Sequence, residues 1–248
     1  GKSFVVTRPA QRATGMIALL QGCGAEVLAF PTLDIVPKAL LPGERAMVEN
    51  LSAYQHIICV SANAATLGLE ILSDYWPQWP VDLKWFAVGP ATAEAMAGWG
   101  LEVITPEASP DSDSLLAMSE LQSIEEQKIL IVRGVGGREL LAEGLRKRGA
   151  QIDYLEVYER KIPSCSPDTL LEFIDTRPEA LIITTSGESI RNLLHIADGF
   201  DTRVKSHPLL VVSERTVKFA HSLGFKDVHN AKGASNQSIL KAIISISG

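Results

Sequence analysis

Residues 129–150 read ILIVRGVGGRELLAEGLRKRGA and predict one strand–turn–helix unit. A short apolar run comes first, a glycine-rich turn follows, and the remainder has the apolar spacing of an amphipathic helix. Short apolar runs favour buried strands, and a glycine such as Gly149 is typical of the residue that terminates a helix. Many phosphate-binding sites begin in this way, so the turn is a candidate site.

The same pattern occurs 125 residues earlier in the chain. Residues 4–25 read FVVTRPAQRATGMIALLQGCGA, with Arg8 at the position of Arg133. Further along, Ser61 matches Ser186 at the same offset, and Thr92 matches Thr216 at an offset of 124. Matches in one order and at nearly one offset indicate two diverged copies of a unit of about 125 residues, which is a common domain size.

Each copy alternates short apolar runs with amphipathic segments, which predicts parallel sheets covered by helices on both faces. Residues 28–37 and 154–163 form longer extended segments that end in proline, and we expect them to be a two-stranded linker between two doubly wound lobes. The predicted boundaries are 1–36 and 164–248 for lobe 1, 37–163 for lobe 2, and about 31–40 and 158–166 for the linker. The predicted helix starts are Ser61, Pro90, Asp111, Ser186 and Ser235.

Composition narrows the class of protein. The net charge of −6 and the pI of about 5.4 argue against a general nucleic-acid surface. No apolar run approaches the roughly 20 residues that span a bilayer, and no leader precedes the first apolar run, so we expect a cytoplasmic protein without membrane partners. The three cysteines and five histidines show no metal-ligand spacing, so we expect no metal.

The glycines of residues 134–137 resemble a dinucleotide fingerprint only in part. The third glycine of GxGxxG is missing because position 139 is Glu, and the earlier copy has Pro, Ala, Gln and Arg at residues 9–12. A tight strand-to-helix turn is favoured over a nucleotide site, and a nucleotide-dependent enzyme remains an alternative.

Four turns follow predicted strands and begin helices, at Ser61, at Ser186 and just before Thr92 and Thr216. Each hydroxyl taken alone is expected to be a helix N-cap. Together, free amides at the carboxyl ends of parallel strands favour a small polyanionic ligand in one cleft. No Ser/His/Asp arrangement, reactive cysteine or carboxylate pair stands out, so the chemistry would rest on positioning and one weak acid. Tyr158 is the candidate, because a tyrosine with an unperturbed pKa near 10 is protonated at neutral pH.

The motifs in this order resemble the uroporphyrinogen-III synthase family over almost the whole chain. They are TRP (7–9), VSANAA (60–65), AVGPATAEAMAGWG (87–100), ILIVRGVGGRELLAEGLRKRGA (129–150), LEVYER (155–160), ITTSGESIRNLL (183–194), VVSERTVKFAHSLGF (211–225) and GASNQSILKAI (233–243). The resemblance implies two flavodoxin-like lobes joined by a two-stranded linker, with the active site in the cleft between them. It also implies a monomer that uses no cofactor or metal.

The activity that the resemblance implies is cyclisation of the linear tetrapyrrole hydroxymethylbilane to uroporphyrinogen III. It implies a functional tyrosine at Tyr158, and Asn63 departs from it because some members have a basic residue there. The candidate substrate-binding residues are Arg8, Ser61, Ala62, Asn63, Gly89, Thr92, Arg133, Arg138, Ser186, Gly187, Ser189, Ser213 and Thr216. The alternative is a non-catalytic two-lobed binding protein for a small polyanionic ligand.

Overall fold

A computed structural model describes residues 2–137 and 139–246. The chain forms two compact units: unit 1 comprises Gly1–Asp34 and Lys161–Gly248, and unit 2 comprises Ile35–Arg160. The chain therefore enters unit 2 after Asp34 and returns to unit 1 after Arg160. Each unit combines segments from both halves of the sequence.

Eleven strands are found in the described part of the chain. In chain order they are β1 (Ser3–Val6), β2 (Glu26–Ala29), β3 (Asp34–Pro37), β4 (His56–Cys59), β5 (Lys84–Ala87), β6 (Val103–Ile104), β7 (Lys128–Gly134), β8 (Gln151–Lys161), β9 (Leu181–Ile183), β10 (Leu209–Val211) and β11 (Val228–Asn230).

Helices alternate with these strands. The α-helices are α1 (Ala10–Gly22), α2 (Pro42–Glu49), α3 (Ala62–Tyr75), α4 (Pro90–Ala97), α5 (Ser112–Leu116), α6 (Leu140–Arg146), α7 (Pro167–Asp175), α8 (Gly187–Ile196), α9 (Asp201–Lys205), α10 (Glu214–Ser222) and α11 (Asn236–Ile246). Two short 3₁₀ helices cover Leu51–Ala53 and Ser119–Leu121.

Unit 1 is built on a five-stranded sheet in the order β11-β10-β9-β1-β2, with parallel pairing throughout. Side chains of β1 alternate between the two faces: Val5 packs with α7, α8 and α10, whereas Phe4 and Val6 pack with α1 and α11. Both faces of the sheet are therefore covered by helices, as the apolar strands require. The expected α/β architecture with parallel sheets is confirmed.

Unit 2 contains a six-stranded sheet in the order β3-β8-β7-β4-β5-β6. Its apolar core is also split by the sheet: Ile57 faces α3 and α4, whereas Ile58 faces α5 and α6. The first strand of this sheet, β3, is joined to β8 by a hydrogen bond from the Lys38 amide to the Val157 carbonyl at 2.9 Å. The extended segment expected at 28–37 is divided into β2 and β3, while most of 154–163 lies in the single strand β8.

Four of the expected helix starts are confirmed by a side chain that accepts a hydrogen bond from the first turn of the helix. The Ser61 hydroxyl accepts from the Ala64 amide, and the Ser186 hydroxyl accepts from the Ser189 amide. The Asp111 carboxylate and the Ser235 hydroxyl cap the starts of α5 and α11 in the same way. Each cap satisfies an amide that the helix itself leaves unpaired. Within the described residues, no helix has both the length and the apolar character needed to cross a membrane.

The buried His56, at the start of β4, gives the stability of unit 2 a predicted dependence on pH. Its Nε2 donates to Gln127 Oε1 at 2.6 Å, and its Nδ1 is buried without a hydrogen-bond partner. Burial, with a smaller contribution from nearby Lys84, lowers the pKa of His56. As the pH falls through about 6.5, the unfolded imidazole gains its proton before the folded one, so the free energy of unfolding decreases.

Chemical denaturation from about pH 7.5 to about pH 5.5, a window around the ordinary histidine pKa, measures this effect. We expect His56→Leu to lower stability at neutral pH but to flatten the dependence on pH. His195→Gln, at an exposed position of α8, is the control and should keep the wild-type slope. An unchanged slope in His56→Leu would contradict the prediction.

Candidate functional site

A cavity of about 380 Å³ lies in unit 2 where β4, β7 and β8 end. The carboxyl ends of parallel strands are where α/β sheets bind their ligands. Side chains from these strand ends and from the start of α5 line the cavity. They include Val60, Ser61, Ser112, Arg133, Tyr154, Tyr158 and Arg160.

A bulge in the β7–β8 pair places Tyr158 in this cavity. Arg133 is opposite Glu156, but the next residue, Gly134, is opposite Tyr158, so β8 contains one extra residue. In a regular strand Val157 and Tyr158 would point to opposite faces, whereas both pack in the core beneath α3. The bulge therefore turns Tyr158 towards the start of α3, and only 2% of this residue is exposed.

The start of α3 supplies the polar partner of Tyr158. Ser61 Oγ lies 3.3 Å from the Tyr158 hydroxyl oxygen and accepts a hydrogen bond from the Ala64 amide at 3.1 Å. The positive end of the helix dipole is here, so partial negative charge on either oxygen is stabilised. A phenolic hydroxyl, a serine hydroxyl and a helix N-terminus thus meet at one end of the cavity.

Gly134 is required by the ring of Tyr158. A Cβ at this position would lie 2.5 Å from Tyr158 Cζ, closer than real Cβ contacts allow. The Val135 amide donates to the Tyr158 carbonyl at 2.8 Å, which fixes the turn against β8. Gly136 has a φ of 71°, the left-handed region that glycine accepts most readily. Packing therefore explains the glycine at 134 and backbone conformation the glycine at 136, and neither requires a bound phosphate.

Arg133 is held by carboxylates of its own chain. Its Nη1 donates to Glu139 Oε1 at 2.8 Å, and its Nη2 donates to Glu156 Oε1 at 3.1 Å. The guanidinium also lies over the Tyr154 ring, 3.8 Å from the centroid, and only 8% of the residue is exposed. A hydrogen bond from Tyr154, with the Arg133 ion pair, holds the pKa of Glu139 below its ordinary value.

The expectation that Arg133 binds ligand carboxylates stays a prediction, and the structure shows partners for its guanidinium within the protein. Two protein carboxylates compensate the charge of Arg133, and these ion pairs hold Glu139, at the start of α6, against the end of β7. Arg138, the other arginine expected at this turn, lies outside the described residues.

Arg8, the counterpart of Arg133 in unit 1, has different partners. It donates to Asn236 Oδ1 at 2.8 Å and to the Ala234 carbonyl. These bonds tie the turn after β1 to the loop that precedes α11. What the two arginines share in the structure is therefore a turn-fixing role, through carboxylates in one unit and neutral acceptors in the other.

The other expected site residues of unit 2 lie at two helix starts. Ala62 and Asn63 are the first residues of α3, and Gly89 and Thr92 are at the beginning of α4. Gly89 packs against Pro110, because an added Cβ would lie 2.5 Å from the Pro110 Cβ. Thr92 is buried.

In unit 1 the expected residues form two pairs of hydroxyls at helix starts. Ser186 Oγ lies 2.9 Å from Ser189 Oγ at the beginning of α8, and Ser213 Oγ lies 2.7 Å from Thr216 Oγ1 at the beginning of α10. Gly187 packs against the ring of Phe219, 3.1 Å from an added Cβ. These helices follow β9 and β10, so both pairs are at the carboxyl edge of the unit 1 sheet.

Sequence reasoning missed Tyr154, Ser112 and Arg160 in the unit 2 cavity, the packing role of Gly134, and Thr184 in unit 1. Tyr154 and Ser112 line the cavity, and Gly134 makes room for Tyr158. Thr184, directly after β9, is buried with its hydroxyl lacking a hydrogen-bond partner. A period-two reading of β8 would have placed Tyr154 on the face of Glu156, and the glycine-rich turn marked Gly134 without its contact to Tyr158. No local signal marks Ser112 or Thr184.

The contact between Gly134 and Tyr158 leads to a prediction about packing. Gly134→Ala forces the Tyr158 ring to move, and overpacking of this kind costs about 1–3 kcal/mol. Urea denaturation should show the loss of stability, and near-UV circular dichroism should show an altered tyrosine environment. Gly98→Ala is the matched control, because Gly98 has helical φ and open space around it. Wild-type stability and spectrum in Gly134→Ala would show that the ring is not confined by Gly134.

Comparison with known proteins gives the fold and the family. In solved structures, uroporphyrinogen III synthase from Thermus thermophilus aligns with a TM-score of 0.67 at 18% identity, covering 99% of this chain and 98% of that protein. The Helicobacter pylori protein aligns with a TM-score of 0.62 at 14% identity, covering 99% of this chain and 100% of that protein. At these identities the likeness establishes the α/β fold alone.

Sequence relatives are closer. The uroporphyrinogen-III synthase of Escherichia coli K12 is 31% identical over 245 residues, with 97% of this chain and 99% of the relative covered. That of Salmonella typhimurium LT2 is 30% identical over 247 residues, with the same coverage. The family model described as uroporphyrinogen-III synthase HemD matches residues 15–241. Because the match extends over nearly the whole chain, this protein belongs to the uroporphyrinogen-III synthase family.

Proposed function

We propose that this chain converts hydroxymethylbilane to uroporphyrinogen III, with Tyr158 as the proton donor. Water leaves the hydroxymethyl group on ring A and an azafulvene forms. Ring D attacks it through its substituted carbon, and the resulting spiro intermediate fragments and closes again with ring D inverted. The observation that carries the residue assignment is the Tyr158 hydroxyl, which faces Ser61 at the end of the unit 2 cavity.

Loss of water is the step at which a protein acid can act. The departing oxygen takes a proton as its bond to carbon breaks, so a phenol in contact with that oxygen lowers the barrier. Tyr158 is almost wholly enclosed and is confined by the bulge and by Gly134, so its hydroxyl has one position relative to the cavity. Later steps need the chain of pyrrole rings to be held in a folded conformation, which is a matter of positioning.

The carboxyl edges of both sheets suit the eight carboxylates of this substrate. Backbone amides at the starts of α3, α4, α8 and α10 are at these edges, where the helix dipoles favour anions. The proposed substrate-binding residues there are Ser61, Ala62, Asn63, Gly89, Thr92, Ser186, Gly187, Ser189, Ser213 and Thr216. Arg8 and Arg138 are proposed to contribute cationic charge, whereas the proposed role of Arg133 is to position the turn.

We also propose that both units are flavodoxin-like and that they derive from two copies of one ancestral unit. In unit 1 the strand order β2-β1-β9-β10-β11 is 2-1-3-4-5 in chain order, the order of flavodoxin-like sheets. In unit 2 the order β8-β7-β4-β5-β6 becomes 2-1-3-4-5 only when β7 and β8, which come last in the chain, are counted first, as an exchange of segments between two copies would require. The matched helix starts at Ser61 and Ser186 support an origin from two copies of one unit. We also propose that the protein is a cytoplasmic monomer that uses no cofactor, as the resemblance implies.

The alternative, a non-catalytic binding protein for a polyanion, makes a different prediction with the same substrate. Purified protein given fresh hydroxymethylbilane should yield the type III isomer, measured by chromatography of the oxidised porphyrins. Hydroxymethylbilane cyclises spontaneously to the type I isomer, so a sample without protein is the control. Tight binding with only type I product would contradict the enzymatic assignment and favour the binding protein.

Replacement of Tyr158 by phenylalanine tests the proton donor. Tyr158→Phe keeps the ring that fills the space beside Gly134, and we expect kcat for the type III product to fall by about 10²-fold or more, the usual contribution of a general acid. Tyr54→Phe is the matched control, because the buried Tyr54 lies outside the cavity and donates to Asp153 Oδ2 at 2.8 Å.

The two variants should have similar unfolding midpoints, so a difference in kcat between them reports on chemistry. Wild-type turnover by Tyr158→Phe would show that Tyr158 serves packing only, and another group would then have to protonate the departing hydroxyl.

A further inference from the structure

We propose that Ser61 is a positioning residue that directs the hydroxyl proton of Tyr158 into the cavity. The inference rests on the proposed role of Tyr158 as the proton donor. Ser61 Oγ lies 3.3 Å from the Tyr158 hydroxyl oxygen, and both residues line the same cavity. Ser61 reaches Tyr158 from α3, while the Tyr158 ring is fixed from the other side by Gly134.

The proposed role of Tyr158 sets the direction of the Ser61–Tyr158 hydrogen bond. A serine hydroxyl has one hydrogen to donate and two lone pairs to accept with. The Ala64 amide, at 3.1 Å, already donates to Ser61 Oγ. One lone pair and the hydrogen of Ser61 remain, so either hydroxyl can donate to the other. A Tyr158 that gives its proton to the substrate must point that proton into the cavity, so the proposal requires Ser61 to donate to the Tyr158 oxygen.

The same bond stabilises the product of proton transfer. When Tyr158 gives its proton to the departing hydroxyl, its oxygen gains negative charge and the hydrogen bond from Ser61 strengthens. A bond that strengthens as charge develops accelerates the chemical step without tightening substrate binding. The expected signature is a change in kcat with little change in KM.

The corresponding turn of unit 1 has no such arrangement. Ser186 caps α8 as Ser61 caps α3, but its hydroxyl is paired with Ser189 Oγ at 2.9 Å. The residue of α3 that corresponds to Ser189 is Ala64, which has no side-chain hydroxyl. Within α3, therefore, no equivalent hydroxyl competes for Ser61, which leaves it directed at Tyr158.

Ser61→Gly and Ser61→Ala test the inference. Glycine is nearly as good an N-cap as serine, so Ser61→Gly removes the hydroxyl with little loss of stability, and Ser61→Ala removes both the hydroxyl and the cap. We expect both variants to lower kcat by about 10- to 100-fold, the worth of a hydrogen bond to a charged oxygen. We expect KM to change by less than about threefold, because the backbone amides at the start of α3, through which Ser61 is proposed to bind substrate carboxylates, are kept. Ser61→Thr keeps a hydroxyl and should retain most of the activity.

Two controls separate positioning from capping and from substrate binding. Ser166→Ala removes a comparable cap, at the start of α7 in unit 1, and should leave kcat unchanged. In a Tyr158→Phe background, Ser61→Gly should reduce kcat by less than about threefold further, because Ser61 then has no phenol to orient.

The results of these experiments distinguish failure of the inference about Ser61 from failure of the proposed role of Tyr158. Wild-type kcat in Ser61→Gly, or effects of Ser61→Gly and Tyr158→Phe that multiply in the double variant, would overturn the role of Ser61 and leave Tyr158 as the donor. Full activity of Tyr158→Phe would overturn the proposed donor, and the role of Ser61 with it.

Discussion

The contact between the Tyr158 ring and the backbone of Gly134 is the constraint on which the candidate site depends. It requires the glycine, because any side chain there would occupy the space of the ring. It requires the extra residue in β8, because without the bulge Tyr158 would point to the face occupied by Tyr154 and Glu156. The cavity, the bond to Ser61 and the orientation of the phenol all follow from this one packing arrangement.

Local patterns in the sequence were sufficient for the parallel sheets and for the helix starts. A strand such as ILIV, buried on both faces, is apolar at every position, and an N-cap such as Ser61 is defined by the few residues that follow it. The family was recognisable for a similar reason, because its motifs are these strand ends and caps in a fixed order. Features of this kind depend on neighbours in sequence.

The geometry of the candidate site depends on contacts between residues that are far apart in sequence, and local sequence patterns do not predict such contacts. The bulge exists only in the pairing of β7 with β8, and the partners of Arg133 are determined by the face of β8 that carries Glu156 and by the turn that carries Glu139. Sequence reasoning therefore identified Arg133 but not its partners Glu139 and Glu156. A buried arginine beside two carboxylates is compensated within the protein, because an unpaired charge in that position would be costly.

Residues that lie 125 positions apart in the chain differ at the two places on which the Tyr158 packing depends. The residue matched to Tyr158 is Leu33, and the residue matched to Gly134 is Pro9, so unit 1 has neither the phenol nor the space for it. What the units share is the N-capped helix at the carboxyl end of a central strand, at Ser61 and at Ser186. Helix starts of this kind favour anions wherever they occur, whereas the single dehydration of the proposed function needs one acid. Under the proposed function, the differences at these matched positions confine the proton donor to unit 2, while each unit has helix starts suited to anions.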